Sequence, residues 1–326
     1  MNIAVTGANG HVGVNLCSAL QEHGHYVRAL NHKHDFGLKH IQVESVKGDL
    51  LNTESLRSFL IDIDVVIHLA AKITIKGDTD GSVHKINVDG TRNILEISRQ
   101  SGVKKFIHFS SIHAFKQEPM EELLDEHRPI VDSEAFSYDR SKADGERIVL
   151  SAARDGFNSL VICPTAIIGP VDYEPSLTGK AMLELYNLQI PALVPGGYNW
   201  VDVRDVVNGC ITAIEKGRQG EKYLMGGTWR SLLELSLLIT KVTGKKTTTR
   251  MMPFWIAQTG LPFITLYSKI TGAEPLYTGE SLQIMKNGNR KISSFKARNE
   301  LDFDPRPLEE TLRDLFTWFR DNDYIK

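Results

Sequence analysis

The sequence has few cysteines, no excess charge of one sign and no apolar run long enough to cross a bilayer. Its three cysteines (Cys17, Cys163 and Cys210) lie far apart among 326 residues and match neither a disulfide framework nor a zinc site. Lys+Arg is 38 against 40 Asp+Glu, for a net charge of −2. This balance excludes the basic character typical of proteins that bind nucleic acids or anionic membranes. We expect buried, reduced cysteines and a cytoplasmic protein.

The longest apolar segment, Met251–Tyr267, is shorter than a membrane-spanning helix and is interrupted by Gly260 and Pro262. We interpret it as a lid or helix over an apolar substrate pocket. A contact with a membrane surface is the alternative. The first apolar strand begins at Ile3, which leaves no room for a signal peptide.

The N-terminus carries the most informative pattern. An apolar strand at Ile3–Val5 runs into Gly7, Gly10 and Gly13, and an amphipathic helix follows. Strand, glycine loop and helix in this order predict a dinucleotide site. The first glycine permits a tight turn, the second lets the backbone approach a pyrophosphate, and the third lets helix and strand pack closely. The helix N-terminus offers free N–H groups to the phosphates.

Strands alternate with helices through the first half of the chain, which predicts an α/β fold with a doubly wound, parallel sheet of Rossmann type. We expect a dinucleotide-binding domain over 1–165, to which 200–226 returns, and a smaller, mainly substrate-binding part over 166–326. Predicted strands are Tyr26–Leu30, Ile41–Val46, Asp64–Leu69, Lys105–Ser110, Ser159–Cys163, Lys222–Met225 and an edge strand at Lys246–Arg250. Predicted helices are Thr53–Leu60, Val83–Ser101, one that ends near Asp155, Ser231–Thr243 and Glu309–Arg320.

Tyr138 and Lys142 are spaced i, i+4, so both side chains lie on one face of a helix. A neighbouring ammonium lowers the pKa of a phenol, and a phenol tuned in this way can act as a general acid or base. Ser110 and Ser111 close the strand that precedes this helix, where a hydroxyl can bind a substrate carbonyl. Together with the glycine loop, these residues indicate a redox site.

At this point the chain resembles the extended short-chain dehydrogenase/reductase family, also called the NAD-dependent epimerase/dehydratase family. It is most similar to the branch of dihydroflavonol reductases and 3β-hydroxysteroid dehydrogenases. The motifs that carry the resemblance are Thr6-Gly-Ala-Asn-Gly-His-Val-Gly13, Gly48-Asp-Leu50, His68-Leu-Ala-Ala71, Asn87-Val-Asp-Gly-Thr91, Ser110-Ser111, Tyr138-x-x-x-Lys142, Pro164-Thr-Ala-Ile-Ile-Gly-Pro170, Val201-Asp-Val-Arg-Asp-Val206 and Arg306-Pro-Leu-Glu-Glu310.

The resemblance implies catalytic roles for three residues. Ser111 would orient the substrate oxygen, Tyr138 would transfer its proton, and Lys142 would hold the nicotinamide ribose and tune Tyr138. Hydride transfer itself belongs to the cofactor. The resemblance also implies cofactor contacts by Gly7, Asn9, Gly10, His11, Val12, Gly13, Asp49, Leu50, Leu69, Ala70, Ala71, Asn87, Pro164 and Ile167.

The end of the second strand decides between NAD and NADP. NAD sites of this type often place an acidic residue about 20 residues past the glycines, where it binds the ribose 2′-OH. Here the strand ends in Asn31, His32 and Lys33, and the first acid, Asp35, comes later. His32 and Lys33, with Arg28, can instead meet a 2′-phosphate. The sequence therefore favours NADP, with NAD as the alternative.

Two departures from family patterns bear on the reaction. Ile112 and His113 stand where sugar-nucleotide dehydratases carry an Asp-Glu pair, and the arginine that binds pyrophosphate in epimerases is missing before Val201. We therefore predict an oxidoreductase that interconverts a ketone or aldehyde and an alcohol on a small, fairly apolar substrate. Predicted substrate contacts are Ser111, His113, Trp200 and Arg204. The alternatives are an NDP-sugar epimerase with tightly bound NAD and a non-catalytic nucleotide-sensing protein.

Five histidines cluster between His23 and His40 without the spacing of metal ligands, and we predict no metal site. We also expect no nucleic-acid or membrane partner. A homodimer through the helices Val83–Ser101 and Tyr138–Asp155 is plausible by family resemblance.

Overall fold

In a computed structural model, which describes residues 1–32, 34–75, 77–261 and 278–326, a seven-stranded sheet forms the centre of the protein. All of its strands are parallel, in the order β3-β2-β1-β4-β5-β6-β9. The strands are β1 (Asn2–Thr6), β2 (Tyr26–Asn31), β3 (Glu44–Lys47), β4 (Val65–His68), β5 (Lys105–Phe109), β6 (Ser159–Pro164) and β9 (Lys222–Met225). The strand order reverses between β1 and β4, and nucleotides bind at such switch points.

Helices cover both faces of this sheet, which confirms the doubly wound architecture. One face packs against α1 (His11–Glu22), α7 (Val203–Lys216) and α11 (Phe295–Leu301). The other face packs against α2 (Thr53–Phe59), α4 (Gly90–Gln100) and α5 (Ser137–Arg154). Strands enclosed on both faces are apolar throughout, as in β4 and β5, whose residues are all buried.

A second sheet has three strands, all of which follow β6 in the sequence. It has the order β10-β8-β7, with β7 (Ala166–Ile168) parallel and β10 (Thr228–Ser231) antiparallel to the central β8 (Gly197–Asp202). Its apolar side packs with α6 (Leu177–Tyr186), α8 (Leu232–Thr243) and α12 (Leu308–Asp321). Residues 254–261 form α9, and α10 (Gly279–Asn287) contacts β8.

Most predicted elements are confirmed to within a few residues, but the edge strand at Lys246–Arg250 is wrong. Residues 246–250 do not form a strand. A single backbone bridge, between Leu193 and Met251, lies directly after this segment. Thr247 and Thr248 instead use their hydroxyls to bond α8 and the carbonyl of Ile190. Threonine hydroxyls offer the backbone an alternative to a strand ladder, which explains why a Thr-rich run did not become a strand.

The predicted helix Val83–Ser101 contains a π-helical turn. The helix begins as α3 (Ser82–His84), passes through the turn at Lys85–Asp89 and continues as α4. The turn contains Asn87, whose side chain accepts from the backbone N–H of Lys72 (2.7 Å) and donates to its carbonyl (3.0 Å). Such bulges are frequent at functional sites, and this one turns a predicted cofactor residue toward the edge of the sheet.

The apolar segment Met251–Tyr267 is only partly described. Its first part forms α9, where the Trp255 side chain is exposed, and residues 262–267 lie outside the described ranges. Within the described residues, no helix combines the length and apolar character needed to cross a bilayer.

Candidate active site

The glycine loop joins β1 to α1 and lies against the loop after β4. Gly7 has φ +70°, and a Cβ there would come within 2.7 Å of the backbone nitrogen of Ala70. A Cβ at Gly13 would come within 2.2 Å of the carbonyl oxygen of Gly7. Both positions therefore need glycine for the protein's own packing, as the dinucleotide pattern predicts.

Gly10 differs from the other two glycines because the protein itself leaves space beside it. A Cβ at Gly10 would make only one contact, 3.5 Å from the carbonyl oxygen of Gly7, which is an ordinary distance. Gly10 is also the N-cap residue of α1 and supplies no side-chain hydrogen bond to the helix. The first turn of α1 therefore keeps its N–H groups and positive dipole end for an anion, and this cradle fits a dinucleotide pyrophosphate.

The side chains around this cradle are partly engaged elsewhere. His11 Nε2 lies 3.1 Å from the carbonyl oxygen of Pro170, so only its backbone faces the cradle as an N–H donor. Asn9 Oδ1 accepts from the backbone of Gly37 at 2.7 Å, and its Nδ2 lies 2.9 Å from His34 Nδ1. Asn9 thus fixes the loop after β2 next to the glycine loop.

The remaining cofactor residues lie where strands end at one edge of the sheet. Leu69, Ala70 and Ala71 follow β4 and are half-buried, and Asp49 and Leu50 follow β3. Pro164 ends β6, and Ile167 lies in β7. The carboxyl ends of parallel strands meet at this edge, so residues far apart in sequence surround a single crevice.

The residues that bear on NAD against NADP are exposed at the ends of β2 and β3. His32 Nε2 lies 3.4 Å from Asp49 Oδ2, and both side chains are about half exposed. Arg28 is not available, because it bonds Glu44 and the carbonyls of Phe59 (3.1 Å) and Ile61 (2.7 Å). Asn31 is half-buried, and Lys33 lies outside the described residues.

The structure brings Ser111, Tyr138 and Lys142 together beyond the end of β5. The Ser111 hydroxyl lies near enough to the Tyr138 phenol to lower its pKa. Ser111 also caps the short 3₁₀ turn Ile112–Ala114, where its Oγ accepts from the backbone N–H of His113 at 3.2 Å. Lys142 Nζ donates to the carbonyl oxygen of Phe109 at 2.7 Å.

A hydrogen-bonded chain fixes the start of α5 against the π-helical turn. Asn87 Nδ2 donates to Ser141 Oγ at 2.9 Å, and Ser141 Oγ donates to the carbonyl oxygen of Tyr138 at 2.7 Å. Asn87 and Ser141 are both buried. Sequence reasoning did not single out Ser141, which connects the predicted cofactor residue to the predicted acid.

The expected lowering of the Tyr138 pKa does not occur in this structure. Burial raises the pKa of the phenol, the nearby Ser111 hydroxyl opposes the rise, and the charge of Asp139 adds to it. Burial also lowers the pKa of Lys142 to about 8. The prediction neglected desolvation, which disfavours the charged form of both groups and is the largest influence on the pKa of each.

Lys142 should therefore reduce the stability of the fold. Its pKa of about 8 lies below the usual 10.5, so the folded protein disfavours the ammonium at neutral pH. We expect Lys142→Met to raise the free energy of unfolding by roughly 2–3 kcal/mol at pH 7, measured by urea unfolding. Wild-type stability should rise from about pH 8 to about pH 10.5, because only the unfolded chain still holds this proton, and the variant should lack the rise. The exposed Lys85→Met is the control, and lower stability of Lys142→Met would contradict the prediction.

A cavity of about 450 Å³ opens beside these residues. Residues next to Ser111, Tyr138 and Pro164 line it, namely Ile112, His113, Asp139 and Thr165. The rest of the apolar wall comes from Val131, Phe136, Tyr198, Trp229, Ile284 and Ile292. This volume lies in the range typical of pockets for small ligands.

Two predicted substrate residues lie elsewhere. Trp200 is 3% exposed, within the core between the small sheet and α8 and α12, and it does not line this cavity. Arg204 donates to Asp202 and to Asp314, at 2.7 Å in each case. Both choices came from local sequence, which cannot show that Trp200 faces a core or that Asp314 lies beside Arg204.

The structure adds site residues that sequence reasoning missed. Asp139 lies 3.2 Å from His113 Nδ1 on the cavity wall. Its position directly after Tyr138 at a helix start was a usable signal. Glu280 on α10 acts electrostatically on the same pair, and nothing in its local sequence indicates this. Among the described residues, no group of histidines, cysteines and acids is arranged to hold a metal.

Comparisons with known proteins agree with this geometry. The model of the NAD dependent epimerase/dehydratase family matches residues 3–226. Sterol demethylase protein B of Methylococcus capsulatus is 30% identical over 334 residues, which cover 100% of each chain. A Synechocystis protein that carries the name of a dihydroflavonol 4-reductase is 29% identical and covers 99% of this chain and 95% of its own. The crystal structure of gox2253 superposes with a TM-score of 0.86 at 30% identity and covers 99% of both chains.

The family match contains the glycine loop, Ser111, Tyr138 and Lys142. Relatives named as reductases and dehydrogenases support a nicotinamide cofactor and an NAD(P)-dependent oxidoreductase. The resemblance to the extended short-chain dehydrogenases/reductases is thus confirmed, and the chain belongs to the NAD-dependent epimerase/dehydratase family.

Proposed function

We propose that this protein reduces a ketone or aldehyde on a small, fairly apolar substrate to the alcohol, with NADP as its cofactor. One observation carries the proposal: a mainly apolar cavity of about 450 Å³ is lined by Ile112, His113 and Asp139, the direct neighbours of Ser111 and Tyr138 in the chain. A carbonyl compound in that cavity can place its oxygen at the two hydroxyls. The apolar wall accommodates the rest of such a substrate.

The chain's residues perform the proton chemistry and the positioning. A nicotinamide cofactor, when bound, would supply the hydride for the carbonyl carbon. Ser111 donates a hydrogen bond that orients the carbonyl oxygen, and Tyr138 gives its proton to that oxygen as negative charge develops there. Lys142, as an ammonium, stabilises the phenolate that Tyr138 leaves and holds the nicotinamide ribose. The product is the alcohol, with one hydrogen from the cofactor and one from Tyr138.

The protonation state of Tyr138 favours the reductive direction. Because burial raises its pKa, the phenol holds its proton at neutral pH and can act as an acid. Alcohol oxidation needs the phenolate, which forms only at higher pH. We therefore expect the oxidation rate to rise with pH more steeply than the reduction rate.

The proposed preference for NADP rests on the end of β2, where Asn31, His32 and Lys33 include no acid. His32 is exposed at this place, 3.4 Å from Asp49 Oδ2, and Asp49 follows β3 and is not the acid at the end of β2 that binds a ribose hydroxyl in NAD sites. We expect tighter binding of NADPH than of NADH, by about tenfold or more, in isothermal titration. His32→Ala should weaken the binding of NADPH and leave the binding of NADH unchanged. Tighter binding of NADH by the wild type would overturn the preference.

A carbonyl panel tests the reaction itself. The purified protein should oxidise NADPH with benzylacetone and similar neutral ketones and form the alcohol in equal amount. Epimerisation of a sugar nucleotide without net consumption of cofactor would contradict the proposal. The homodimer through α4 and α5 and the cytoplasmic location stay predictions.

A further inference from the structure

We propose that His113, oriented by Asp139, is a specificity residue that binds a second oxygen of the substrate. The preferred substrates are then neutral ketones or aldehydes with a hydroxyl or another carbonyl close to the reacting one. This inference rests on the proposed function and narrows its substrate class.

The His113 ring contacts Tyr138 and lines the cavity. Its centroid is 5.9 Å from that of Tyr138, and the rings meet edge to face. Its backbone N–H bonds Ser111 Oγ, which fixes the main chain at the same place. The imidazole is therefore held beside the position where the substrate carbonyl must bind.

Asp139 determines which ring nitrogen faces the substrate. Asp139 Oδ1 lies 3.2 Å from His113 Nδ1, and 14% of the Asp139 side chain is exposed. The charge of this carboxylate, whose buried Oδ1 has no hydrogen-bond partner among the described residues, favours the tautomer with the proton on Nδ1, so Nε2 of the neutral ring is an acceptor. Nε2 has no hydrogen-bond partner among residues 1–32, 34–75, 77–261 and 278–326, while 27% of the side chain is exposed on the cavity wall. It can accept a hydrogen bond from a substrate hydroxyl or, when protonated, donate one to a carbonyl.

The charges around this ring favour a neutral ligand. Glu280 acts electrostatically on both His113 and Asp139, and its Oε1 is buried without a partner in the described part of the chain. Burial raises the pKa of Glu280, and the charge of Asp139 adds to this rise. Lys116 also lines the cavity, but it is paired with Asp132 at 2.8 Å. The wall also carries Glu118, Glu134 and Asp139, so an anionic substrate would meet several carboxylates and no unpaired lysine or arginine among the described lining residues.

The two anchoring points define the substrate class. Ser111 and Tyr138 take the reacting oxygen, and His113 Nε2 takes a second oxygen four bonds away from it. A β-hydroxy ketone or a neutral β-dicarbonyl compound supplies both oxygens at once. A simple ketone binds only to Ser111 and Tyr138. If it displaces the water next to His113 Nε2, that nitrogen loses its hydrogen bond, and the affinity for the ketone falls.

Benzylacetone and its β-hydroxy derivative, the benzaldehyde–acetone aldol, form a matched pair for the test. We expect wild-type kcat/KM to be about tenfold higher for the hydroxy ketone, since one hydrogen bond contributes about 1–1.5 kcal/mol. His113→Ala should bring the ratio close to one through a higher KM for the hydroxy ketone alone. Asp139→Asn should also lower the ratio of the two kcat/KM values toward one. Asp144→Asn, which lies on α5 outside the cavity and pairs with Arg147, should leave it unchanged.

Binding to the NADPH-loaded Tyr138→Phe variant separates this inference from the proposed reaction. The tenfold preference should persist there in isothermal titration and disappear in the Tyr138→Phe, His113→Ala double variant. A preference in binding without turnover of any ketone would overturn the proposed function alone. Three results would overturn the role of His113. They are equal binding of both ketones, binding of neither ketone, and an equal loss of affinity for both ketones in His113→Ala.

Discussion

Tyr138→Phe is expected to lower kcat for carbonyl reduction by about 10²–10⁴-fold, the usual contribution of a positioned general acid. The phenylalanine ring keeps the edge-to-face contact with His113 and removes only the hydroxyl that lies near Ser111. Stopped-flow or steady-state rates with NADPH measure the loss. NADPH affinity should stay within about threefold of the wild-type value, since the variant keeps the glycine loop and Lys142.

The control for this prediction is Tyr26→Phe. Tyr26 carries its hydroxyl on the exposed edge of β2, where it bonds Glu44 at 2.7 Å, far in the fold from the cavity residues. This variant should keep the wild-type rate. A Tyr138→Phe protein that retains more than about a tenth of kcat would exclude Tyr138 as the proton donor.

Gly13→Ala and Gly10→Ala should have different effects: the first should lower stability, and the second should weaken cofactor binding. At Gly13 the new Cβ would lie 2.2 Å from one backbone oxygen and 2.6 Å from the backbone of Ala8, so main chain must move. We expect Gly13→Ala to lower the free energy of unfolding by at least about 3 kcal/mol, measured by urea unfolding. Close packing of α1 on β1, and not cofactor binding, is the reason.

The protein has room for a Cβ at Gly10, but this Cβ would occupy the space that the phosphates of the cofactor need. Gly10→Ala should keep the wild-type melting temperature without cofactor, because its only contact is an ordinary one at 3.5 Å. NADPH affinity should fall by about tenfold to a hundredfold, since a methyl group replaces one or more charge-assisted hydrogen bonds. The helical Gly260→Ala, whose Cβ would have no atom of the described residues within 4 Å, is the control for both variants. Normal NADPH binding by Gly10→Ala would contradict the assignment of this cradle.

Much of the cofactor side was predictable because its signals are local. Strand, glycine loop and helix are continuous in sequence, and an i, i+4 pair lies on one helix face whatever surrounds it. The alternation of β and α segments then implies a parallel sheet whose carboxyl ends meet, so Ser111 and the glycine loop had to lie at the same edge. These inferences need no knowledge of distant contacts.

The substrate side was less predictable because long-range packing determines it. Trp200 and Trp229 lie on neighbouring strands of the small sheet, yet Trp200 is buried in a core and Trp229 lines the cavity. Arg204 has its partner, Asp314, 110 positions later in the chain. Sequence also neglected desolvation, so it gave the wrong direction for the pKa of Tyr138.

By itself, the sequence determined the family, the doubly wound sheet, the dinucleotide loop and the Ser111, Tyr138 and Lys142 set. Periodicity and spacing within single elements carry the sheet and the loop, and the resemblance to a known family carries the family assignment and the roles of the three residues. Only the tertiary structure decided the cavity wall, the pairing of His113 with Asp139, the place of Glu280 beside them and the neutral state of the phenol. Each of these depends on which distant segments exclude water from the same space, and a linear pattern does not contain that information.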